Sequence, residues 1–445
     1  MSETLSHVVI IGLGASGLGA ARLAAADGAH VLITDRRTAK AVGEATDALP
    51  QGTTTVLGDH PLTVLDGVDL VILSPGVPTD SELVIEAQRR GLRILSELEF
   101  AWRHRPDSPL VAITGSNGKS TVTTLVAQMM QTAGMAAVAG GNLGPPASDL
   151  ILDGRWQSWV LEVSSFQSET LVELRPHVGV FLNLSQDHLE RHPDMAKYAL
   201  AKGQLFAHQQ SSDTTILNAD DPLVAVTATA AQKKFFSIIT EADADLVDGH
   251  LRIKGEPLID RRELKLSGRH NIANALAASL AAQEVGASLD AIRETLSTFT
   301  GLPHRHRIVH EADDIRWIDD SKATNVGATI AALSGYPPRS VHLILGGLGK
   351  GQDFSALAEP IGRAATMVYL IGKDAPAIAR VLEGLAPVEH CGTLEHAVES
   401  ARRQALPGQW VLLAPACASF DQFIDYRERG QAFERLAAKE VSACR

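Results

Sequence analysis

Nine short apolar runs, separated by longer helical patterns, constrain the fold of this 445-residue chain more than any other feature. The runs are HVVIIGLG (7–14), HVLITD (30–35), DLVILSPG (69–76), LVAITGSNG (110–118), WVLEVSS (159–165), VGVFLNL (178–184), VHLILGG (341–347), MVYLIG (367–372) and WVLLAPA (410–416). Continuous Val/Ile/Leu-rich runs are typical of strands buried on both faces by helices. The sequence therefore predicts an α/β fold built on parallel sheets.

Two polar, proline-containing segments divide the chain. HRPDSP (104–109) precedes the run at Leu110, and GLPHRHR (301–307) follows a helical stretch and precedes a new α/β pattern. Domain boundaries fall in linkers of this composition, and the length allows two to four domains. We predict three domains, at residues 1–107, 108–302 and 303–445.

Composition limits the partners and the compartment. The net charge of −12, without a long Lys/Arg run, argues against binding to nucleic acid or a membrane surface. No apolar segment reaches the roughly 18 residues of a membrane helix, and the N-terminus lacks signal-peptide features. Cys391, Cys417 and Cys444 lack metal-ligand spacing and fit a reducing compartment. We expect a cytoplasmic protein.

The first apolar run ends in a glycine pattern. Gly12, Gly14 and Gly17 have G-x-G-x-x-G spacing and precede a helical stretch, a second strand and Asp35. This order favours a diphosphate at a helix N-terminus, with Asp35 near a ribose hydroxyl. NAD is the usual ligand, but the unit is short for a two-halved dinucleotide fold, and a UDP-sugar needs only one half. A turn that needs glycines only for packing is the alternative.

A second glycine-rich loop, TGSNGKST (114–121), lies between a predicted strand and a predicted helix. Its glycines would let backbone N–H groups converge on phosphates, Lys119 would reach the terminal phosphates, and Ser120 or Thr121 would offer a hydroxyl to Mg²⁺. The usual pattern has another glycine where this chain has Ile113. The sequence therefore predicts a short ATP loop, with an ordinary βα turn as the alternative.

Polar side chains follow the next two runs. Glu162 ends one run, and Asp187 and His188 follow the other. Because ligand-facing residues lie at the carboxyl ends of parallel strands, these groups could hold a metal ion near the loop. Taken singly, each is better explained as a surface or capping residue, and only their shared position relative to the loop favours a metal site.

Ten motifs in a fixed order resemble the Mur ligases of peptidoglycan synthesis, over essentially the whole chain. They are TGSNGKST, GGNLG, LEVSSFQ, LNLSQDHLERH, NADD, LSGRHNIANALAA, TFTGLPHR, DDSKATN, LGGLGKGQDF and PACASFDQF. The short loop is the family's form, so Ile113 no longer argues against ATP. The resemblance implies an N-terminal Rossmann-like domain for the UDP-sugar, a central P-loop ATPase domain with a parallel sheet, and a C-terminal Rossmann-like domain for the amino acid.

The implied reaction is ATP-dependent amide-bond formation between UDP-N-acetylmuramoyl-L-alanine and D-glutamate, through an acyl phosphate. A carboxylate is a poor acyl donor, and phosphorylation by ATP gives it a good leaving group. The loop, Lys119 and two Mg²⁺ ions would stabilise the charge of the transferring phosphoryl group. We expect a monomer whose partners are small molecules.

The resemblance also assigns residues to roles. Catalytic roles fall on Lys119, His188 and Lys202. ATP contacts fall on Gly115, Ser116, Asn117, Gly118, Lys119, Ser120, Thr121, Asn271, Asn274, Arg305 and Asp320. Metal contacts fall on Ser120, Glu162, His188 and Lys202, the last as a carbamylated lysine. UDP-sugar contacts fall on Gly14, Ala15, Ser16, Asp35, Arg36, Arg37, Gly76 and Asn142. Amino-acid contacts fall on Lys322, Thr324, Lys350, Ser419 and Tyr426.

Three alternatives remain open on the sequence alone. A sister ligase could add L-glutamate or another amino acid. An NAD-dependent oxidoreductase would explain the first glycines but not GKST, Glu162 or the C-terminal motifs. A non-catalytic nucleotide-binding regulator would not need the combination of GKST, Glu162, His188 and Lys202.

Overall fold

The computed structural model describes residues 6–187, 191–192, 194–266 and 268–439. Within these ranges the strands, β1 to β20 in chain order, are His7–Ile11, His30–Asp35, Thr54–Leu57, Leu70–Leu73, Arg93–Ser96, Leu110–Thr114, Ala137–Gly141, Ser158–Glu162, Val178–Phe181, Thr214–Asn218, Gln232–Ser237, Ala244–Val247, His250–Ile253, Glu256–Asp260, Arg307–Ala312, Ile315–Asp319, Val341–Gly346, Ala365–Ile371, Val388–Gly392 and Trp410–Leu413.

The helices of the same ranges, α1 to α16, are Ala15–Ala26, Ala39–Val42, Glu82–Arg89, Glu97–Trp102, Lys119–Thr132, Ala147–Asp153, Ser165–Ser168, Met195–Gly203, Pro222–Ala225, Arg269–Glu284, Leu289–Thr298, Val326–Leu333, Ala358–Ala364, Ala375–Leu382, Leu394–Gln404 and Tyr426–Ala438. No helix of the described residues combines the length and apolar character needed to cross a bilayer.

The strands form three sheets, which define a first unit (β1–β5 with α1–α4), a central unit (β6–β14 with α5–α11) and a third unit (β15–β20 with α12–α16). The first sheet has the order β3-β2-β1-β4-β5 and is parallel throughout. The order reverses between β1 and β4. A crevice opens at such a point, beyond the strands' carboxyl ends.

The central sheet has the order β14-β13-β12-β11-β10-β9-β6-β8-β7, so the phosphate-loop strand β6 lies between β9 and β8. Its side chains alternate between two cores, as the pleat requires. Val111 and Ile113 pack in a core with α5, α10 and α11, whereas Leu110 and Ala112 pack in a core that continues into the first unit. The third unit has its own cores.

The predicted α/β class with parallel sheets is confirmed, and each of the nine apolar runs contains a strand. Two antiparallel segments depart from the parallel pattern: β12–β14 at one edge of the central sheet and β15–β16 at one edge of the third. Both lie at sheet edges, where burial on two faces is not required and apolar runs are correspondingly weak. The strands of each sheet lie within one predicted domain, while the boundaries themselves stay a prediction.

Candidate active site

The phosphate loop is fixed by the strand beside it. The backbone N–H of Ser116 donates to the carbonyl of Asn183 (2.9 Å), and that of Asn117 donates to the Asn183 side-chain oxygen (2.9 Å). Asn183 follows β9, so the central sheet positions the loop from its neighbouring strand. The loop then enters α5 at Lys119, with the helix N-terminus facing the predicted phosphate position.

Gly118 is required by both its conformation and its surroundings. Its φ of 85° lies in the left-handed region, and a Cβ here would overlap the side-chain oxygen of Asn274. Asn274 lies on α10 and donates to Asn271 (3.2 Å), and both side chains are buried. Because Gly118 has no side chain, Asn274 of α10 can pack directly against the loop. Helix α10 therefore borders the predicted nucleotide site.

Two lysines converge on the loop. Lys119 Nζ donates to the carbonyls of Gly115 and Ser116, and Lys202 Nζ donates to the same Gly115 carbonyl, each at 2.8 Å. Lys202 is 1% exposed and lies over the ring of Tyr198, 4.5 Å from its centre. Burial, followed by the charge of Lys119, holds the pKa of Lys202 well below its usual value. Burial at this position therefore disfavours the charged form of Lys202.

Glu162 is the acidic centre of the site. Its carboxylate accepts from the Ser120 hydroxyl (2.5 Å) and the Asn142 amide (2.7 Å), and Arg305 of the linker donates to Ser120 (2.7 Å). Burial opposes ionisation, but the Lys119 charge and these hydrogen bonds outweigh it and lower the pKa of Glu162. A carboxylate and a hydroxyl in contact are oxygen donors of the kind that Mg²⁺ prefers, so this pair fits the predicted metal site.

Asp187 connects the central and third units. One carboxylate oxygen is 3.3 Å from Lys350 Nζ, and the other accepts from the Asn325 amide (3.1 Å). Asn325 also exchanges amide hydrogen bonds with Asn117 of the loop. His188, assigned to catalysis and metal binding, lies outside the described residues.

Three cavities join at this centre. A middle cavity of about 280 Å³ is lined by Lys119, Ser120, Glu162, Lys202 and Thr324, among others. It shares Asn142 with a cavity of about 730 Å³ in the first unit. On the other side it shares four residues with a cavity of about 330 Å³, namely Asn117, Gly118, Arg305 and Lys322. Two large ligands could therefore meet end to end at Glu162.

The 730 Å³ cavity contains every residue assigned to the UDP-sugar: Gly14, Ala15, Ser16, Asp35, Arg36, Arg37, Gly76 and Asn142. Asp35 does not project freely into it. Its carboxylate accepts from the Leu13 backbone (2.8 Å) and from the Arg37 guanidinium. Burial opposes its ionisation, but the Arg37 and Leu13 hydrogen bonds prevail and lower the pKa of Asp35 to about 2.

The 330 Å³ cavity contains Asn271, Asn274, Arg305, Asp320 and Thr121, all assigned to ATP. Apolar side chains complete its wall, as a flat base would need; they are Phe236, Leu266 and Leu302. Of the remaining loop residues assigned to ATP, Ser116 lines the middle cavity, and Gly115 contributes the carbonyl that both lysines contact.

The residues assigned to the amino acid are distributed unequally. Lys322, Thr324 and Lys350 line the middle cavity. Tyr426 lies beside it, with its ring centre 4.3 Å from Lys322 Nζ. Burial, then the charge of Arg305, lowers the pKa of Lys322 to about 8. Ser419 is buried and lines none of the three cavities.

Sequence reasoning missed several residues of the site. Tyr198 covers Lys202, Asn183 holds the loop, and Asn325 bridges two units. His270 and His306 line the 330 Å³ cavity. Asn183 follows β9 and Asn325 is the N-cap of α12, and both lie inside motifs of the family resemblance, so the sequence offered a signal for each. Nothing in the sequence distinguishes Tyr198 from an ordinary core tyrosine.

Comparison with known proteins agrees along the whole chain. Three family models match: "Mur ligase MurD-like, N-terminal domain" at residues 6–96, "Mur ligase middle domain" at 113–282 and "Mur ligase, glutamate ligase domain" at 304–417. The UDP-N-acetylmuramoylalanine--D-glutamate ligase of Anaeromyxobacter dehalogenans is 42% identical over 98% of both chains, and that of Chromobacterium violaceum 43% over 96% of both.

Solved structures agree on the fold. A UDP-N-acetylmuramate-alanine ligase from Thermotoga maritima superimposes with a TM-score of 0.61 at 18% identity, covering 97% of this chain and 98% of that one. A pseudomurein peptide ligase type C from Methanothermus fervidus superimposes with a TM-score of 0.60 at 19% identity. The match covers 92% of this chain and 96% of that one. With the motifs, the three sheets and near-complete coverage by relatives in agreement, the chain belongs to the Mur ligase family.

Proposed function

We propose that this chain is an ATP-dependent ligase that joins UDP-N-acetylmuramoyl-L-alanine to D-glutamate in peptidoglycan precursor synthesis. The observation that carries the proposal is that two larger cavities each share lining residues with the middle cavity, which contains Lys119, Glu162 and Lys202. The names of the full-length relatives at about 40% identity support the substrates. The oxidoreductase alternative leaves the Lys119, Glu162 and Lys202 cluster without a role.

The reaction proceeds in two balanced steps. A carboxylate oxygen of the alanyl group attacks the γ-phosphorus of ATP, which breaks the bond to the β-phosphate oxygen and gives an acyl phosphate and ADP. The glutamate amine, as the free base, then attacks the acyl carbon, the carbon–oxygen bond to the phosphoryl group breaks, and the proton lost by the nitrogen is taken up by the departing phosphate. Lys119 at the start of α5 stabilises the negative charge of the transferring phosphoryl group.

Ser120 and Glu162 would hold Mg²⁺, together with His188 and Lys202 for a second ion. Bound Mg²⁺ supplies electrostatic stabilisation of phosphate oxygens. Asn271, Asn274, Arg305 and Asp320 would bind the nucleotide. Gly14–Ser16, Asp35, Arg36, Arg37, Gly76 and Asn142 would bind the UDP-sugar, and Asn142, which also lines the middle cavity, would face its peptide part or the phosphoryl group.

Lys322, Thr324, Lys350, Ser419 and Tyr426 would receive glutamate. Cations suit its two carboxylates, and the ammonium of Lys322 already lies at the shared wall of two cavities. Ser419 requires a movement of its loop to reach the ligand. A monomer that works in the cytoplasm is part of the same proposal.

Lys202 is proposed to act as a carbamate. Its neutral amine would add to CO₂ with loss of one proton, replacing a cation by two oxygen ligands. Lys202→Ala should lose nearly all phosphate release, and a short-chain carboxylic acid should restore part of it. Lys197→Ala, on the exposed face of the same helix α8, is the matched control. Absence of any rescue by the acid would count against the carbamate.

The function is tested by incubating the protein with ATP, Mg²⁺ and UDP-N-acetylmuramoyl-L-alanine and adding one amino acid at a time. Phosphate release should require D-glutamate and give one amide product per phosphate. Release with L-glutamate alone would favour the sister-ligase alternative. Absence of release with every amino acid would overturn the ligase function.

A further inference from the structure

Arg427 contributes a cation to the UDP-sugar cavity from outside the first unit. The other residues lining this cavity come from the first unit and from the Gly141–Pro146 segment of the central unit. Arg427 lies in the first turn of α16, in the third unit. The cavity is therefore enclosed by all three units.

Arg37 and Arg427 both line the UDP-sugar cavity, but their guanidinium groups have different partners. The Arg37 guanidinium is bound to the Asp35 carboxylate and to the Leu13 carbonyl, so much of its charge is compensated. Arg427 makes no ion pair with the described residues; the Tyr426 hydroxyl, and to a smaller extent the charge of Asp425, raise the pKa of Arg427. Its Nε donates to the Tyr426 hydroxyl (3.3 Å), which leaves its remaining N–H groups for another acceptor.

Arg427 is held on a rigid element. Asp425 caps α16 by accepting from the backbone of Arg427 (2.8 Å) and Glu428 (2.9 Å). Two residues after Arg427, the buried Arg429 donates to the Ser321 carbonyl (2.8 Å) and so anchors the start of the helix. A guanidinium on an anchored helix start loses little freedom on binding, which favours its use in recognition.

Tyr426 connects this cation to the amino-acid site. The Arg427 guanidinium lies 5.7 Å from the Tyr426 ring centre, and Lys322 Nζ lies 4.3 Å from it. Both distances lie within the range of cation–π attraction to an aromatic ring. Tyr426 therefore contacts one residue that lines the UDP-sugar cavity and one residue that lines the middle cavity.

We propose that Arg427 is a substrate-binding residue that the third unit supplies to the UDP-sugar cavity, where its guanidinium pairs with an anionic group of the nucleotide sugar. The inference rests on the proposed function for the identity of that ligand. Its consequence is that the UDP-sugar bridges the first and third units, so that its binding draws the third unit onto the other two.

The test is calorimetric binding of UDP-N-acetylmuramoyl-L-alanine and of UDP alone, without ATP, so that no turnover is needed. Arg427→Ala should weaken binding of the full substrate about 10-fold, and Arg427→Glu more strongly. Arg427→Lys should recover part of the affinity. Arg435→Ala, later on the exposed side of the same helix, is the control and should bind as the native chain does.

The two ligands identify the anionic group. A loss for both UDP and the full substrate assigns the diphosphate, whereas a loss for the full substrate alone assigns the alanyl carboxylate. Equal affinity of Arg427→Ala and the native chain for the full substrate would overturn the inference. A native chain that binds this substrate but releases no phosphate would contradict the proposed function while leaving the Arg427 contact standing.

Discussion

The central unit meets its two neighbours through interfaces of opposite character. Toward the first unit it shares one continuous apolar core, in which Phe100 and Leu98 of α4 lie with Trp159 and Leu161 of β8. Toward the third unit the contacts named above are polar: Arg305 with Ser120, Asn325 with Asn117, and Lys350 with Asp187. Apolar burial is non-directional and favours a permanent junction, whereas hydrogen bonds can be exchanged for bonds to a ligand.

The difference assigns the two interfaces to different tasks. The first and central units form one body, which fixes the UDP-sugar cavity relative to the phosphate loop. Each of the three polar contacts at the interface with the third unit includes at least one side chain that is assigned to ATP, metal or glutamate. Ligand entry must therefore rearrange that interface, and closure of the third unit would exclude water from the acyl phosphate.

The largest expected effect is on stability, at the apolar interface. Phe100 is 3% exposed, and Phe100→Ala should lower the free energy of unfolding by about 3–5 kcal/mol, because a large cavity is left in the shared core. Chemical denaturation followed by tryptophan fluorescence measures the change. Phe420→Ala, at a 67% exposed phenylalanine of the third unit, should have little effect. Equal losses in the two variants would show that the shared core is not what stabilises the pair of units.

The next effect is on catalysis, at the polar interface. Arg305→Ala removes the donor to Ser120, and we expect kcat to fall about 10²–10³-fold, as when one electrostatic donor is removed from an active site. The free energy of unfolding should change by less than about 1 kcal/mol. Arg307→Ala, exposed on β15, is the control. An Arg305→Ala enzyme that is strongly destabilised but fully active would show that the polar interface contributes to stability and not to catalysis, which would contradict the contrast between the two interfaces.

A pH effect is expected within the apolar interface. Glu97 is fully buried and accepts from the Ser148 backbone of α6 (2.6 Å), and burial raises the pKa of its carboxyl from 4.5 to about 7. Because the folded chain holds this proton where the unfolded chain releases it, stability falls as pH rises from about 4.5 to about 7. The shift corresponds to roughly 3 kcal/mol at most.

Glu97→Gln removes this titration. The variant should therefore gain thermal stability over the native chain at pH 8 and little at pH 5, where the native carboxyl is already protonated. The difference in melting temperature between the variant and the native chain, measured at pH 5 and at pH 8, tests this expectation. Glu82→Gln, at an exposed helix start, should show no such difference. A Glu97→Gln chain that is less stable at both pH values would show that Glu97 is stabilised as a carboxylate.

The smallest effect concerns an ion pair at the same apolar interface. Arg22 of α1 contacts Asp149 of α6 at 2.6 Å, with about a third and a quarter of the two side chains exposed. Partly exposed pairs contribute up to about 1 kcal/mol. A double-mutant cycle with Arg22→Ala and Asp149→Ala should give a coupling energy in that range. A much larger coupling would mean that charge, rather than apolar packing, joins the two units.

The sequence predicts the parts of this molecule that obey local rules. Apolar runs predict strands because burial on two faces requires them, and GKST after such a run predicts a loop and helix because few other structures use that order. The antiparallel edges were not predicted, since exposed edge strands carry no continuous apolar run. Lys202 and Tyr198 show the limit at the site: only folding brings a helix lysine and a core tyrosine under the loop. Ser419 shows the converse, a matched motif residue that is buried and lines none of the three cavities.

Gly118 also bears on the selection of resistance to inhibitors. Any side chain at this position would displace Asn274 and strain the loop, so Gly118 is fixed by geometry. An inhibitor that binds the backbone N–H groups of the loop would therefore meet a surface with few viable escape substitutions at this position. A compound that depends on a contact with Arg36 would lose affinity through many substitutions, because Arg36 is exposed and can be replaced at little cost to the stability of the fold.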